Sequence, residues 1–279
     1  MNSLPVDFYE EVITIRRANL FSCSREGALP GNFGLCAKQM RLKLNDAYLA
    51  IEDGAISPRS VYSGKSANLP KFRYKKFVSY KVYAQTVSPP SEDLIRRLRN
   101  FIREPGMLCL HLWSKNVTDE WLQLFSSWNV PLFLYVDKHS ESVFQLLSNL
   151  FEKQQLLGLN ICVHPISAEQ ARLITQCLSQ PQFSFLQCSS SKVFEGIMNI
   201  YNENPEKLIG KTVNYLWMRK VHDDSYKRIG RLRNDLLRFQ KGNLIVDYFN
   251  YRATEETTDK DFVENGMRTK LWFVANSSN

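Results

Sequence analysis

Cysteine and histidine are the residue types in this chain that could bind a metal or act in catalysis. Cys162 and His164 could reach one metal ion from one face of a strand, but no second pair of ligands stands at a matching spacing. His222-Asp223-Asp224 could form a catalytic cluster, although a polar turn is the simpler interpretation. The sequence has no phosphate-binding loop, no dinucleotide glycine pattern and no G-x-S-x-G motif. We therefore predict no catalytic residue, no metal ligand and no cofactor, and expect that the protein is not an enzyme.

Basic charge is concentrated in residues 59–103, in a chain whose net charge is +8. Basic and aromatic residues alternate there in the stretch KFRYKKFVSYKVY. Such interleaving can bind single-stranded nucleic acid by charge and stacking, and it can also contact an acidic protein or a membrane surface. An amphipathic strand with solvated lysines explains it best, and nucleic acid is the least favoured partner. The predicted basic partner-contact patch consists of Lys71, Arg73, Lys75, Lys76 and Lys81.

The elements that would carry this patch form a β-rich segment with a linking helix, over residues 41–104. The stretches RLKLNDAYLAIED and KKFVSYKVYAQTV alternate apolar and polar residues and are rich in strand-forming types. Ser91 can cap the helix SEDLIRRLRNFIRE, which has acids in its first turn and arginines later, as the helix dipole favours. The order of these strands relative to those that follow is left open.

From residue 105 onward, short apolar runs alternate with polar turns and helix-like stretches. We predict leucine-rich-repeat-like strand–helix units over residues 105–279, forming a mostly parallel sheet with helices on one side and a C-terminal cap. The fold class is therefore α/β. No apolar run approaches the ~18 residues that a membrane-spanning helix needs. The repeat anchors, spaced 24 to 30 residues apart, are Leu110, Leu134, Leu159, Phe185 and Tyr215.

The first residues, MNSLPVDFYEEV, predict a short helix with one apolar face, because Leu4, Phe8 and Val12 are four residues apart. With Pro5 and Ile13, this stretch resembles the start of an F-box, in a small helical module over residues 1–40. The layout of the whole chain is similar to a nematode-expanded family of F-box-like proteins. The C-terminal stretch RFQKGNLIVDYFNYRATEETTDKDF resembles the ending of that family.

The resemblance implies a substrate-recognition subunit of a cullin-type, SCF-like ubiquitin ligase. Leu4, Pro5, Phe8, Val12 and Ile13 would bind a Skp-type adaptor, and the repeat half would bind a client protein whose identity stays open. The alternative is a stand-alone interaction or scaffold protein, with the N-terminal helix packed on its own domain. We expect reduced cysteines and a location in the cytoplasm or the nucleus.

Overall fold

A computed structural model describes most of the chain and divides it into two compact units, Met1–Phe133 and Leu134–Asn279. For Ala47, Lys75, Lys76 and Phe77 the structure describes the backbone but not the side chain. None of the described helices is long and apolar enough to cross a membrane. The described residues are 31–32, 34–36, 47–57, 75–83, 88–103, 107–114, 117–138, 140–163, 165–216 and 221–275.

The first unit contains a parallel strand–helix–strand segment and a hairpin. β3 lies parallel to both β1 and β4, and β2 folds back antiparallel on β1. The hairpin turns at Asp53-Gly54, where φ is 50° and 87°, and Asp-Gly is the pair that a turn with two positive φ angles favours. The elements of this unit are β1 (Ala47–Glu52), β2 (Ala55–Ile56), β3 (Lys75–Lys81), α1 (Glu92–Arg103), β4 (Met107–Leu112) and α2 (Asp119–Ser126).

Aromatic packing fixes α2 against β3 in this unit. The Tyr80 ring centroid lies 4.9 Å from that of Trp121 and 5.5 Å from that of Phe125. All three side chains are fully buried. The predicted cap of α1 is also present, since the Ser91 hydroxyl accepts a hydrogen bond from the Leu94 N–H at 3.3 Å.

The second unit begins with parallel strand–helix segments and ends with antiparallel strands. Its strand order is β6-β7-β8-β12-β11-β10-β9, with β6, β7 and β8 parallel. β5 (Leu132–Val136) contains the boundary between the units. The elements of the second unit are α3 (Glu141–Glu152), β6 (Leu156–Ile161), α4 (Ala168–Cys177), β7 (Phe185–Cys188), α5 (Ser191–Glu203), a 3-10 turn (Pro205–Leu208), β8 (Thr212–Leu216), β9 (Lys227–Arg233), β10 (Leu236–Lys241), β11 (Leu244–Phe249), α6 (Asp259–Glu264) and β12 (Arg268–Phe273).

The helices of the second unit cover one face of its sheet. Successive parallel crossovers in one direction place their helices on the same face, because such connections are nearly always right-handed. Contacts agree: the Tyr215 hydroxyl of β8 donates to the Ser190 carbonyl at 2.8 Å, just before α5, and the rings of Phe194 and Tyr215 meet edge to face at 5.1 Å. The α/β class and the parallel pairing of the strand–helix segments are confirmed.

The register of the strands corrects two of the predicted repeat anchors. Leu159 pairs with Leu186, and Leu186 pairs with Val213, so Phe185 and Tyr215 are not equivalent to Leu159. The three aligned residues are fully buried and stand 27 residues apart (186 − 159 and 213 − 186). The aromatic residues Phe185 and Tyr215, one and two positions from the equivalent residues Leu186 and Val213, hid the constant period.

The last predicted strand–helix unit was wrong in its second half. The repeat pattern predicts a helix-like stretch after the strand and turn of this unit, but Lys227–Arg233 forms β9, paired antiparallel with β10. Pairing with a neighbouring strand therefore overrides the local pattern. Ile229 and Leu232 sit at two register shifts of this pair and are 43% and 47% exposed. Bulges of this kind protect a sheet edge from pairing with other chains.

Close packing between α4 and α5 depends on Gly196. A Cβ atom at this position would lie 2.7 Å from Thr175 Oγ1 and 3.0 Å from Thr175 Cγ2. Alanine in a helix is normally better than glycine by about 0.5–1 kcal/mol. We expect the opposite sign here, a loss of about 1–3 kcal/mol for Gly196→Ala, because the added methyl overpacks the contact.

A double-mutant cycle measured by chemical denaturation tests this expectation. Thr175→Ala removes both atoms that the new methyl meets, so it should recover most of the stability that Gly196→Ala loses. Independent effects of the two substitutions would show that the contact does not set the helix spacing.

Candidate functional site

The predicted adaptor-binding residues lie outside the described part of the chain. Leu4, Pro5, Phe8, Val12 and Ile13 therefore stay predictions. Lys71 and Arg73 of the basic patch also lie outside it. Lys75 and Lys76 are in β3, and their side chains are not described.

Lys81 is the one patch residue whose side chain the structure describes. Its Nζ lies 4.6 Å from the ring centroid of Trp113, which is 42% exposed. Val78, Ser79 and Tyr80 are all fully buried, so this part of β3 lacks the one-sided burial that the amphipathic-strand interpretation predicts, whereas Tyr83 is 72% exposed. A cation next to an exposed indole is compatible with a contact surface at the end of β3.

The second unit presents a row of polar side chains on the face opposite its helices. These side chains occupy matched register positions on six neighbouring strands, and we call them the polar row. No described helix of this unit lies over them. The row runs Asn160, Gln187, Asn214, Lys270, Asp247 and Arg238.

A buried carboxylate organises the antiparallel half of the polar row. Asp247 is 1% exposed and accepts two hydrogen bonds from Arg238, from Nε at 2.6 Å and from Nη2 at 2.8 Å. The indole N–H of Trp272 donates to the same carboxylate at 2.8 Å. The hydrogen bonds to the Asp247 carboxylate raise the pKa of the Arg238 guanidinium above its ordinary value. Lys270 Nζ lies 3.4 Å from the Trp272 ring centroid. These side chains hold one another in fixed orientations.

Amide side chains form the parallel half of the row. Gln187 Nε2 donates to Asn160 Oδ1 at 3.3 Å, and Asn214 Nδ2 lies 3.5 Å from Gln187 Oε1. Asn214 is 7% exposed, and its Oδ1 has no hydrogen-bond partner among the described residues. Amide side chains offer both hydrogen-bond donors and acceptors and carry no charge, so this half of the row can bind the N–H and C=O groups of a peptide.

Cys162 follows β6 beside Asn160 of the polar row, in surroundings that disfavour its thiolate. Its thiol donates to Asn160 Oδ1 at 3.3 Å. Burial raises the pKa of the thiol, and the opposing influences of Gln187 and Arg268 are smaller. The thiolate is the reactive form, and a raised pKa reduces its population at neutral pH.

The segment His222-Asp223-Asp224 has the geometry of a turn. Asp223 accepts hydrogen bonds from the backbone N–H of Ser225 at 2.8 Å and from the Ser225 hydroxyl, and these hold its pKa below the ordinary value. His222 Nδ1 lies 2.8 Å from the Tyr248 hydroxyl, and its ring stacks on Phe239 at 3.9 Å. Among the described residues, no three His, Cys, Asp or Glu side chains are grouped so that they could hold a metal ion.

Sequence reasoning missed the polar row, although one signal for it was present. Asn160, Gln187 and Asn214 are 27 residues apart, each directly after one of the equivalent buried anchors. Aligning LNI, LQC and VNY would have revealed this amide period. Lys270, Asp247 and Arg238 join the row through antiparallel pairing, which has no comparable period.

Comparisons of the chain with protein-family models, with curated proteins and with solved structures found no match. What the protein does is therefore inferred from the residues of the polar row and from the N-terminal resemblance. Within the polar row, the carboxylate of Asp247 is fully engaged by Arg238 and Trp272.

Proposed function

We propose that the protein is a non-catalytic recognition subunit of a cullin-type, SCF-like ubiquitin ligase. Residues 1–40 would bind a Skp-type adaptor as an F-box-like module, with Leu4, Pro5, Phe8, Val12 and Ile13 as its apolar anchors. The strand–helix half would bind a client protein. The protein would then act by proximity, holding the client next to a ubiquitin-charged enzyme, in the cytoplasm or the nucleus.

The polar row is the observation that carries the client-binding half of this proposal. Six strands at about 4.8 Å spacing span roughly 24 Å, and five residues along a strand cover about 17 Å. The resulting face of roughly 400 Å² is half of the ~800 Å² that each partner buries in a standard interface.

We also propose that the strand–helix half of the chain is leucine-rich-repeat-like. It is supported by the constant 27-residue spacing of Leu159, Leu186 and Val213 in parallel register. Units of this kind stack because none of them can bury its apolar face alone. The antiparallel strands β9–β12 would then be the terminal cap of the stack.

A stand-alone interaction protein is the second candidate. Lys81 beside the exposed Trp113 supports it, since a partner could bind there without any adaptor. In that case the N-terminal helix would pack on the chain's own core. An acidic protein would be the favoured partner of this surface, and nucleic acid the least favoured.

The two candidates differ in what Phe8→Asp does. If the helix binds an adaptor, the variant should melt like the wild type and lose the complex with a purified Skp-type adaptor in gel filtration. If the helix packs on its own domain, burying a charge should cost several kcal/mol, on the order of 3–5, and the variant should melt early. Tyr251→Asp is the matched control, because Tyr251 is 60% exposed in the second unit. Wild-type protein that fails to bind the adaptor would contradict the ligase role.

A further inference from the structure

Positive charge dominates the sheet face that carries the polar row. By strand register, five cationic side chains and one acid lie on this face of β8 to β12. Asp235, in the β9–β10 turn, pairs with one of the five, Arg233, at 3.0 Å. The cations are Lys227, Arg233, Arg238, Arg268 and Lys270, and the acid is Asp247.

Internal pairing leaves an excess of positive charge on this face. Arg238 is matched by Asp247, and Arg233 by Asp235. Lys227 is exposed, Arg268 is half-buried, and neither forms an ion pair within the described part of the chain. Arg268 lies close enough to Cys162 to act on its thiol electrostatically, so its charge faces the carboxyl ends of β6 to β8. Open sheets bind ligands outside the carboxyl ends of their parallel strands.

We propose that this face binds an acidic, extended segment of the client protein. The segment would lie along the polar row, with its carboxylates near Arg268 and Lys227 and its backbone amides on the amide half of the row. This inference rests on the proposed client-binding role of the same face.

The contacts of Trp272 favour an acidic peptide over single-stranded nucleic acid as the ligand of this face. Nucleic-acid platforms need aromatic rings open for stacking. The Trp272 ring is covered on one side by Lys270 Nζ, and its N–H is held by Asp247.

Fluorescence anisotropy with defined probes tests the inference on the full-length chain. The probes are a labelled alternating Glu-Val dodecapeptide, the matched Lys-Val dodecapeptide and a dodecameric thymidine oligonucleotide. We expect the Glu-Val peptide to bind best, with an affinity that falls as salt rises. Reversing two charges with Arg268→Glu and Lys227→Glu should weaken its binding by about tenfold or more and should favour the Lys-Val peptide.

Lys207→Glu with Lys260→Glu is the control, because both lysines are exposed and lie away from this face, in the 3-10 turn and in α6. The control variant should bind the Glu-Val peptide like the wild type. Equal loss in both double variants would show a general effect of net charge and would overturn the inference, as would tighter binding of the oligonucleotide. Adaptor binding without peptide binding would overturn this inference alone, whereas peptide binding without adaptor binding would overturn only the ligase role.

Discussion

Replacing Asp247 by alanine should lower the free energy of unfolding by about 3–5 kcal/mol, one of the largest effects of any single substitution in the second unit. The carboxylate is 1% exposed and satisfies two nitrogens of Arg238 and the indole N–H of Trp272. Its removal leaves the guanidinium without its partner in a half-buried site. Equilibrium denaturation, followed by tryptophan fluorescence and circular dichroism, measures the change.

The double variant Arg238→Met with Asp247→Leu separates the charge pair from simple packing. Replacing both partners of a buried ion pair by apolar residues is often close to neutral, whereas removing one partner is not. The double variant should therefore be more stable than Asp247→Ala. Asp224→Ala, at an exposed position, should leave the denaturation midpoint near that of the wild type. An Asp247→Ala protein as stable as this control would show that the carboxylate does not organise the polar row.

Alkaline pH should unfold the second unit steeply, through its buried tyrosines. Burial raises the pKa of Tyr226 and of Tyr248 to about 12, and it raises the pKa of Tyr215 as well. In the unfolded chain each phenol ionises near pH 10. A raised folded-state pKa means that the unfolded state releases its protons first, so this stability is complete below pH 10 and is lost as the pH rises through 12.

The expected size of this effect is large compared with the stability of a domain. Each tyrosine contributes up to about 1.4 kcal/mol per pH unit, so three of them remove roughly 8 kcal/mol between pH 10 and 12. Total stabilities are about 5–15 kcal/mol. Lys211 acts in the opposite direction, because desolvation lowers the pKa of its ammonium group in the folded protein. Its contribution to the free energy of unfolding therefore rises with pH until the pH reaches the pKa of lysine in the unfolded chain. The three tyrosines outweigh this single group.

Denaturation midpoints measured from pH 8 to pH 11.5 test the alkaline prediction. Tyr248→Phe should be less stable at neutral pH, because its hydroxyl accepts from the N–H groups of Val221 and His222. It should nevertheless lose less stability per pH unit above pH 10, because one titrating group is gone. Tyr251→Phe, at an exposed position, should follow the wild-type curve. A midpoint that stays constant to pH 11.5 would contradict the prediction.

Helix starts were predicted well from the sequence, because caps are local. Ser167 followed by Gln170 is a sequence pattern that predicts a capping box, and the reciprocal hydrogen bonds are present before α4. Thr258 likewise predicts a helix start, and its side chain accepts from the Asp261 N–H at the start of α6. Both features depend on residues three apart. The run LIVDYF, rich in apolar and aromatic residues and bounded by turn residues, predicts a strand, and the observed β11 spans the same residues, Leu244–Phe249.

The antiparallel strands and the polar row could not be predicted from local sequence patterns. β9 carries four basic residues and a glycine and has no strict alternation, so its strand conformation comes from pairing with β10. Asp247 and Lys270 look like ordinary surface residues in the sequence, yet they are 1% and 6% exposed. Asp247 is buried by Arg238 and Trp272, which approach it from neighbouring strands. Lys270 contacts Trp272, two residues further along the same strand.

The most direct test of the recognition role is ubiquitin transfer to the chain itself. A protein held beside a ubiquitin-charged enzyme presents its own exposed lysines, such as Lys227 and Lys260, to that enzyme. In a reconstituted cullin ligase with a Skp-type adaptor, we expect the wild-type chain to acquire ubiquitin and the Phe8→Asp variant to remain unmodified while equally folded. Equal modification of both chains, or an unmodified wild-type chain under conditions in which the ligase is active, would contradict the proposed role.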